Sequence, residues 1–473
     1  MKPAESLWRW SAVDLATAVR QREISCREIT TSVLARIEAL NPRLNALAEV
    51  LAEEALASAD AADRQIAAGT QLGPLHGVPV TIKINVDQAG HATTNGVVPL
   101  KNNIAHEDSP VVAHWRSAGA IIVGRSNTAT YSSRWFTDNG LHGRTLNPWD
   151  PDITPGGSSG GAAAAVACGM GALAHGNDIG GSIRYPAYAC GVPGLRPTTG
   201  RVPAYNPSAA VERSITPQLM SVQGPMARSI ADLRLGYHAM ARHDERDPAW
   251  VPVPLDLPPP PGPIRVALFK HCPGIPIDPA VSAALDSAAQ WLQQAGYAVE
   301  EASLPDFMEA AALWRTLTVD DSRRNIIAGV EQHGDEAMRQ SQRNMLAGMQ
   351  ETDRDGFLDA LARRQAIARN WSLFMQTYPL VLMPVSWQRP SPQDADIGTP
   401  EQTRALLDAQ SPLLATAMLG MPGLSVPTGM AGGVPVGVQL LAWRFREDLL
   451  LRAGQAIEDA AHFTPFTDLQ PGI

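Results

Sequence analysis

Lysine is nearly missing from this sequence: of 38 basic residues only Lys2, Lys83, Lys101 and Lys270 are lysines, and the rest are arginine. Arginine therefore carries almost every cationic task. A retained lysine stands out, because chemistry that needs a neutral amine cannot use a guanidinium. Cysteine is also sparse. Cys26, Cys168, Cys190 and Cys272 form no C-x-x-C pair, which argues against a zinc ribbon or a thioredoxin-type motif and fits a reducing compartment. Long hydrophobic runs are absent too. The most apolar stretch, residues 161–174, is alanine-rich, broken by glycine and shorter than the ~20 residues that span a bilayer. The opening MKPAESLWRW has no charged segment followed by an apolar one, so no signal peptide is expected. The chain reads as a cytoplasmic protein with no membrane partner.

Positive charge is in deficit. The 473 residues carry 47 acidic side chains against 38 basic ones, a net charge of −9. Phosphate binding needs a basic surface, so this balance argues against a nucleic-acid partner. At roughly 150 residues per domain the length allows three domains, but one large α/β domain can also fill it.

The remaining pattern is one of alternation. Ser11 precedes Ala12, Leu15, Ala16 and Val19 at helical spacing. Ser25 with Glu28 forms a capping-box pattern ahead of Ile29, Val33 and Ile37, in a helix expected to end at Asn41-Pro42. Short apolar runs at residues 78–84, 120–124 and 264–269 alternate with helical stretches, which favours an α/β layered fold. Residues 150–200 are punctuated by glycine and show no clean period outside the alanine-rich stretch. Residues 247–263, containing LPPPPGP, read as a stiff connector. Asp278-Pro279 opens a helix running to Gly296, and residues 306–370 read as a helical insertion. Buried strands are expected at 380–385, 423–427 and 434–442, and a final helix at 447–461. Residues 1–473 together read as one domain.

Two glycine–serine segments carry the chemistry. Residues 155–161 read PGGSSGG, and Ser182 lies in GNDIGGSIRYP, residues 176–186. A Gly/Ser cluster alone is usually a loop or linker. This one runs straight into a helix-forming stretch, and a second pair, Gly180-Gly181, precedes another serine. Consecutive small residues let backbone N–H groups converge, as an oxyanion hole requires. Gly156–Gly160 also matches the G-x-S-x-G nucleophile elbow, which needs a strand just before its serine. The preceding NPWDPDITP, with three prolines, is a poor central strand. The histidines show no metal-ligand spacing, so no metal is expected, and His142 and His175 read as structural.

Over nearly its whole length the chain resembles the amidase signature family of serine hydrolases. The likeness runs through LARIEALNPRLNA (34–46), LHGVPVTIKIN (75–85), GRTLNPWDPDITPGGSSGGAAAAVA (143–167) and GNDIGGSIRYPA (176–187). It continues through GLRPTTGRVP (194–203), QGPMARSIADL (223–233) and MPGLSVPTGMAGGVPVGVQLLA (421–442). The resemblance implies one α/β domain whose central mixed β-sheet is covered by helices on both faces. It also implies a Ser–cisSer–Lys triad, which falls on Ser182 as nucleophile, Ser158 after a cis peptide bond, and Lys83. The family's oxyanion donors fall on the backbone N–H groups of Ile179, Gly180, Gly181 and Ser182. Asp178 and Arg184 would support that loop. Tyr131, Trp135, Phe136 and Tyr185 would line the substrate. No cofactor is implied.

Physical chemistry fits these assignments. Serine is a poor nucleophile until a base takes its proton, and a lysine with a pKa of about 10.4 is almost wholly charged near neutrality. Lys83, set between Val80, Thr81, Ile82 and Ile84, can be desolvated enough to become that base. Three positions depart from the family's usual pattern: Ile84 replaces an Asp, Asn177 a Thr, and Ile179 a residue that is often Thr. The expected activity is hydrolysis of an amide bearing an apolar or aromatic group, with a homodimer as the candidate assembly. Two other readings are a glutaminase subunit of a tRNA-dependent amidotransferase and a silent binding homologue. Tyr185, where such subunits usually have Gln, weighs against the first, and the retained triad against the second.

Overall fold

The computed structural model describes residues 4–349 and 351–464. Eleven strands are found among them: β1 (Leu47–Val50), β2 (Pro79–Lys83), β3 (Ile121–Ser126), β4 (Leu173–Asp178), β5 (Gly194–Arg196), β6 (Val222–Ala227), β7 (Arg265–Leu268), β8 (Ala298–Glu301), β9 (Leu380–Pro384), β10 (Gly423–Ala431) and β11 (Val434–Ala442). They form a single sheet in the order β1-β3-β2-β4-β6-β5-β10-β11-β9-β7-β8. The sheet is mixed. β3, β2 and β4 run parallel, as do β9, β7 and β8, while the strands between them pair antiparallel.

Successive side chains on a strand point to opposite faces. Every residue of β2, β3, β6, β9 and β11 is nevertheless buried, so helices cover both faces of the sheet there. The amphipathic helix Cys26–Leu44 supplies Ile29, Val33, Ile37 and Leu40 to the main core. It runs past the expected stop at Pro42, because Asn45 takes a left-handed conformation and its N–H closes the last turn on Asn41 O at 2.7 Å. A second apolar cluster gathers around Trp314, Trp371 and Trp387. There the helix Phe307–Ser322 packs against Arg354–Thr377 and Ser411–Met418. Residues 251–264 run without helix or strand before β7.

Topology places the chemistry. Val80 and Thr81 of β2 pair with Leu173 and Ala174 of β4. Because the two strands are parallel, their last residues, Lys83 and Asn177-Asp178, meet at one edge. Parallel neighbours need a crossover. Here the chain leaves β3, passes through residues 130–159, forms the helix Gly160–Ala167 and returns as β4. The GGSSGG turn lies at the start of that helix and Ile179–Ser182 follow β4, so both serines reach the same edge as Lys83.

Candidate active site

Lys83 is fully buried at the end of β2. Its Nζ lies 2.7 Å from Ser158 Oγ and 2.7 Å from Asn177 Oδ1. Burial drives its pKa well below the ordinary lysine value, against the opposing pull of the Asp178 charge. A neutral amine has two N–H groups and one lone pair. Donation to Asn177 Oδ1, which can only accept, leaves the lone pair free to face the Ser158 hydroxyl. Behind the lysine, its backbone N–H donates to His175 Nδ1 at 3.4 Å, while His175 Nε2–H donates to Gln223 Oε1 at 2.8 Å. These partners fix one neutral tautomer. Burial, helped by the Lys83 charge and opposed by the bond to Gln223, lowers the imidazole pKa from 6.5 to about 4.

The peptide bond between Gly157 and Ser158 is cis. The turn is pressed against the 134–136 loop: a Cβ on Gly157 would lie 2.5 Å from both Arg134 O and Phe136 N. Thr137 Oγ1 donates to Gly156 O at 2.9 Å and accepts from the Gly160 N–H at 3.0 Å, clamping the turn from outside. Ser159 N–H donates to Ser182 O at 3.3 Å, so the two serine segments are tied directly. Ser158 and Ser182 open onto one cavity. Among the described residues no hydrogen bond joins their hydroxyls.

From Ile179 to Ser182 the backbone is held peptide by peptide. Asp178 O accepts from Arg196 Nη1, Ile179 O from Trp314 Nε1 at 2.7 Å, Gly180 O from Trp135 Nε1 at 2.9 Å, and Gly181 O from the Tyr185 N–H at 2.8 Å. In a planar trans peptide the N–H points opposite to the C=O. Holding four carbonyls therefore fixes the directions of the N–H groups of residues 179–182. One expectation is corrected here. The Gly181 N–H donates to Asp178 Oδ1 at 2.8 Å and is not open to a substrate. Those of Ile179, Gly180 and Ser182 have no acceptor among the described residues. Gly181 has φ +107°, a conformation that favours glycine.

Asp178 and Arg184 do more than flank this turn. Arg184 Nε and Nη2 donate to the two Asp178 oxygens, each at 3.0 Å, and Arg196 lies 3.3 Å from the same carboxylate. All three side chains are buried. Burial alone would raise the carboxyl pKa, but Arg184 and Arg196 hold it well below the usual carboxylate range.

The cavity has a volume of about 730 Å³, within the ordinary size of small-molecule sites. Its lining includes Ser158, Asn177 and Ser182, the aromatic residues Tyr131, Trp135, Tyr205 and Trp314, and charged residues among which are Glu212, Arg213, Arg246 and Asp247. Val319, Ile327, Met338, Leu346 and Leu407 continue the apolar lining. Tyr131 and Ser132 both have positive φ, 52° and 57°, in a tight turn on which Tyr131 N–H donates to Asn95 O at 3.0 Å. Phe136 and Tyr185 do not belong to this lining. Phe136 is buried beneath the Arg134 guanidinium, 5.4 Å from its ring centre, and that arginine pairs with Asp396. Tyr185 is fully buried, and its hydroxyl is occupied by Ser391, donating to Oγ at 3.3 Å and accepting from N–H at 3.1 Å.

Comparison with known proteins gives this arrangement its family. Residues 28–451 match the family described as Amidase. The chain belongs to that family. This amidase is 46% identical to an indoleacetamide hydrolase of Bradyrhizobium diazoefficiens over 460 residues, covering 97% of this chain and 88% of that protein. It is 33% identical to a glutamyl-tRNA(Gln) amidotransferase subunit of a Cyanothece species, covering 96% of this chain and 97% of that one. Among solved structures it resembles a bacterial aryl acylamidase of the amidase signature family, with a TM-score of 0.85 and 26% identity over 98% of this chain and 99% of that one. The protein is a hydrolase of carbon–nitrogen amide bonds, with the family's α/β fold. No helix among its described residues is long and apolar enough to cross a membrane.

Several residues of the amidase site carry little signal in sequence. Arg196 and Gln223 lie inside the GLRPTTGRVP and QGPMARSIADL segments, where an isolated buried-type polar residue was the available clue. Asn177 stood out only as a departure from Thr. Trp314 had none: it sits in the segment expected to be an insertion, 135 positions from the carbonyl it holds.

Proposed function

We propose that this amidase hydrolyses a primary carboxamide borne on an aromatic ring system, of the indoleacetamide type, to the carboxylate and ammonia. The observation that carries the reading is a buried Lys83, its pKa driven well below the ordinary lysine value, in contact with Ser158, which opens with Ser182 onto a cavity lined by Tyr131, Trp135 and Trp314. The 46% identity to an indoleacetamide hydrolase supports the choice of ring. Burial of the ring against Tyr131 and Trp135 contributes roughly 25 cal/mol per Å², while an unpaired carboxylate in the same place is penalised.

The chemistry follows from the positions. Ser158 donates its proton to the Lys83 amine and takes one from Ser182, whose hydroxyl turns towards it once substrate fills the cavity. Ser182 Oγ bonds to the amide carbon as the C=O π bond opens. The resulting oxyanion is received by the N–H groups of Ile179, Gly180 and Ser182. The proton returns through Ser158 to the leaving nitrogen, the C–N bond breaks and ammonia departs. Water then attacks the Ser182 ester, passing its proton into the same relay, and the carboxylate leaves with Ser182 restored. We place this reaction in the cytoplasm, in keeping with four free cysteines.

The test is hydrolysis of indole-3-acetamide, followed by ammonia release, beside phenylacetamide, malonamate and glutamine. Ser182→Ala should abolish turnover. Ser158→Ala and Lys83→Ala should each cost about 10³-fold or more with the fold intact, and without adding when combined. Full activity in Lys83→Ala would sink the relay. A preference of tenfold or more for malonamate or glutamine would sink the aromatic substrate.

A further inference from the structure

The turn proposed to offer N–H groups to the reaction holds its own shape at Gly181, through Asp178 and Tyr185, but not at Ile179 and Gly180. Between Asp178 and Ser182 the only hydrogen-bond donor to the Ile179 carbonyl among the described residues is the indole N–H of Trp314, at 2.7 Å. The next carbonyl, Gly180 O, has the indole N–H of Trp135, at 2.9 Å. The two tryptophans come from unrelated places. Trp135 lies on the loop that also packs on the cis Gly157–Ser158 peptide, whereas Trp314 lies on the helix Phe307–Ser322, outside the sheet. Both rings also line the cavity.

The two indoles act on different peptide planes. The Ile179 carbonyl and the Gly180 N–H share one plane, so the bond from Trp314 fixes the direction of a donor that has no other partner. The Gly180 carbonyl and the Gly181 N–H share the next plane. That plane is already held at its other end by Asp178 Oδ1, 2.8 Å from the Gly181 N–H. Loss of the Trp135 bond therefore leaves one anchor on its plane, while loss of the Trp314 bond leaves none. The absence of a side chain at Gly180 is what admits the ring: a Cβ there would lie 2.5 Å from Trp314 Cζ2.

We propose that Trp314 is a positioning residue for the oxyanion hole, which aims the Gly180 N–H through its hydrogen bond to Ile179 O, with Trp135 in a lesser supporting role. This inference rests on Ser182 acting as the nucleophile. It makes the helix Phe307–Ser322 part of the catalytic apparatus as well as of the cavity wall. Its consequence is separable from packing, because an aimed N–H matters where negative charge develops and not where an uncharged ligand merely fills space.

The experiment uses Trp314→Phe and, as an isosteric replacement without an N–H, benzothienylalanine at position 314. Trp135→Phe is the comparison. Each protein is assayed for indole-3-acetamide turnover. Each is also titrated with the matching aldehyde, which adds to Ser182 as an oxyanion, and with the matching alcohol, which occupies the cavity and forms none. At position 314 both replacements should lower kcat about tenfold or more, with KM changed little, and weaken the aldehyde by the same factor while the alcohol binds as before. Trp135→Phe should show the same pattern with a smaller loss. Equal weakening of aldehyde and alcohol would reduce Trp314 to a wall of the cavity and overturn the proposal. So would benzothienylalanine behaving as wild type. If Ser182→Ala turned over normally, the nucleophile assignment itself would fall. If that variant is dead while the position-314 variants are unaffected, only the positioning role falls.

Discussion

Replacing Asn177 by aspartate should move the pH dependence of the enzyme without removing any group of the relay. Asn177 Oδ1 lies 2.7 Å from Lys83 Nζ and can only accept a hydrogen bond. A carboxylate in that place presents a negative charge to the amine and favours its protonated form. At an effective dielectric of 20, unit charges at that spacing interact by about 6 kcal/mol. The new carboxylate must itself be partly desolvated, since position 177, on the cavity lining, is largely buried. If half the interaction survives, about 3 kcal/mol remains, and at about 1.4 kcal/mol per pH unit the acid limb of kcat/KM rises by about 2 pH units. The sign follows from the base being a neutral amine: protonation inactivates, so the limb that reports Lys83 moves to higher pH. At any pH below both limbs Asn177→Asp should be about 100-fold slower, and above them it should recover to near the wild-type rate. The assay is a full pH profile of indole-3-acetamide hydrolysis, with Asn177→Leu as the uncharged control that loses the acceptor without moving the limb upward. A loss of the same factor at every pH, or an unmoved limb, would refute the lysine as base.

Two further outcomes concern stability. Asp178→Asn leaves Arg184 and Arg196, both fully buried, without their shared carboxylate. Breaking a buried pair in this way should cost about 3–5 kcal/mol, seen as a lower thermal and denaturant midpoint, and an unchanged midpoint would contradict the pairing. His175 titrates at about 4 in the folded protein against 6.5 when free. Its contribution is therefore complete above pH 6.5 and is lost as the pH falls from 6.5 to 4, at about 1.4 kcal/mol per pH unit or about 3 kcal/mol in all. His175→Gln should flatten that part of the stability profile, and an unaltered slope would show that other groups carry the acid sensitivity.

The parts of the site that could be seen in sequence share a physical cause. Lys83 sits in a short apolar run that becomes a fully buried strand, and burial both forms the strand and lowers the amine pKa. Ser158 and Ser182 carry local signals, glycine pairs that only a close approach of backbone requires. β4 was not visible. Its sequence, LAHGND, holds polar residues at three of its six positions. They are tolerated because His175 is satisfied by Gln223 of the neighbouring β6, and Asn177 and Asp178 by Lys83 and Arg184. Lys83 on β2 and Gln223 on β6 make Asn177 and His175 buriable, and a single segment cannot display those partners, whereas Arg184, at the start of the helix Arg184–Cys190, serves Asp178 locally. Phe136 and Tyr185 were misplaced for the complementary reason. An aromatic side chain has the same apolar character in a substrate wall and in a core, and only Asp396 beside Arg134, or Ser391 beside Tyr185, decides between them.

The oxyanion turn marks the limit of that kind of reading most clearly. Glycines at 180 and 181 confer freedom on the backbone, and freedom alone does not say which way an N–H points. Direction comes from what holds each carbonyl: Arg196 at Asp178, Trp314 at Ile179, Trp135 at Gly180 and the Tyr185 N–H at Gly181. The same geometry removes one of the four expected donors, because Gly181 is turned back onto Asp178. Ser182 and Lys83, the proposed nucleophile and base, are thus placed by local sequence and by one pair of parallel strands. The proposed oxyanion donors depend on three other segments, carrying Trp135, Arg196 and Trp314, meeting the turn. On the proposed mechanism, substitutions far from Ser182, on the helix Phe307–Ser322 above all, should change the rate of this amidase while leaving Ser182, Ser158 and Lys83 in place.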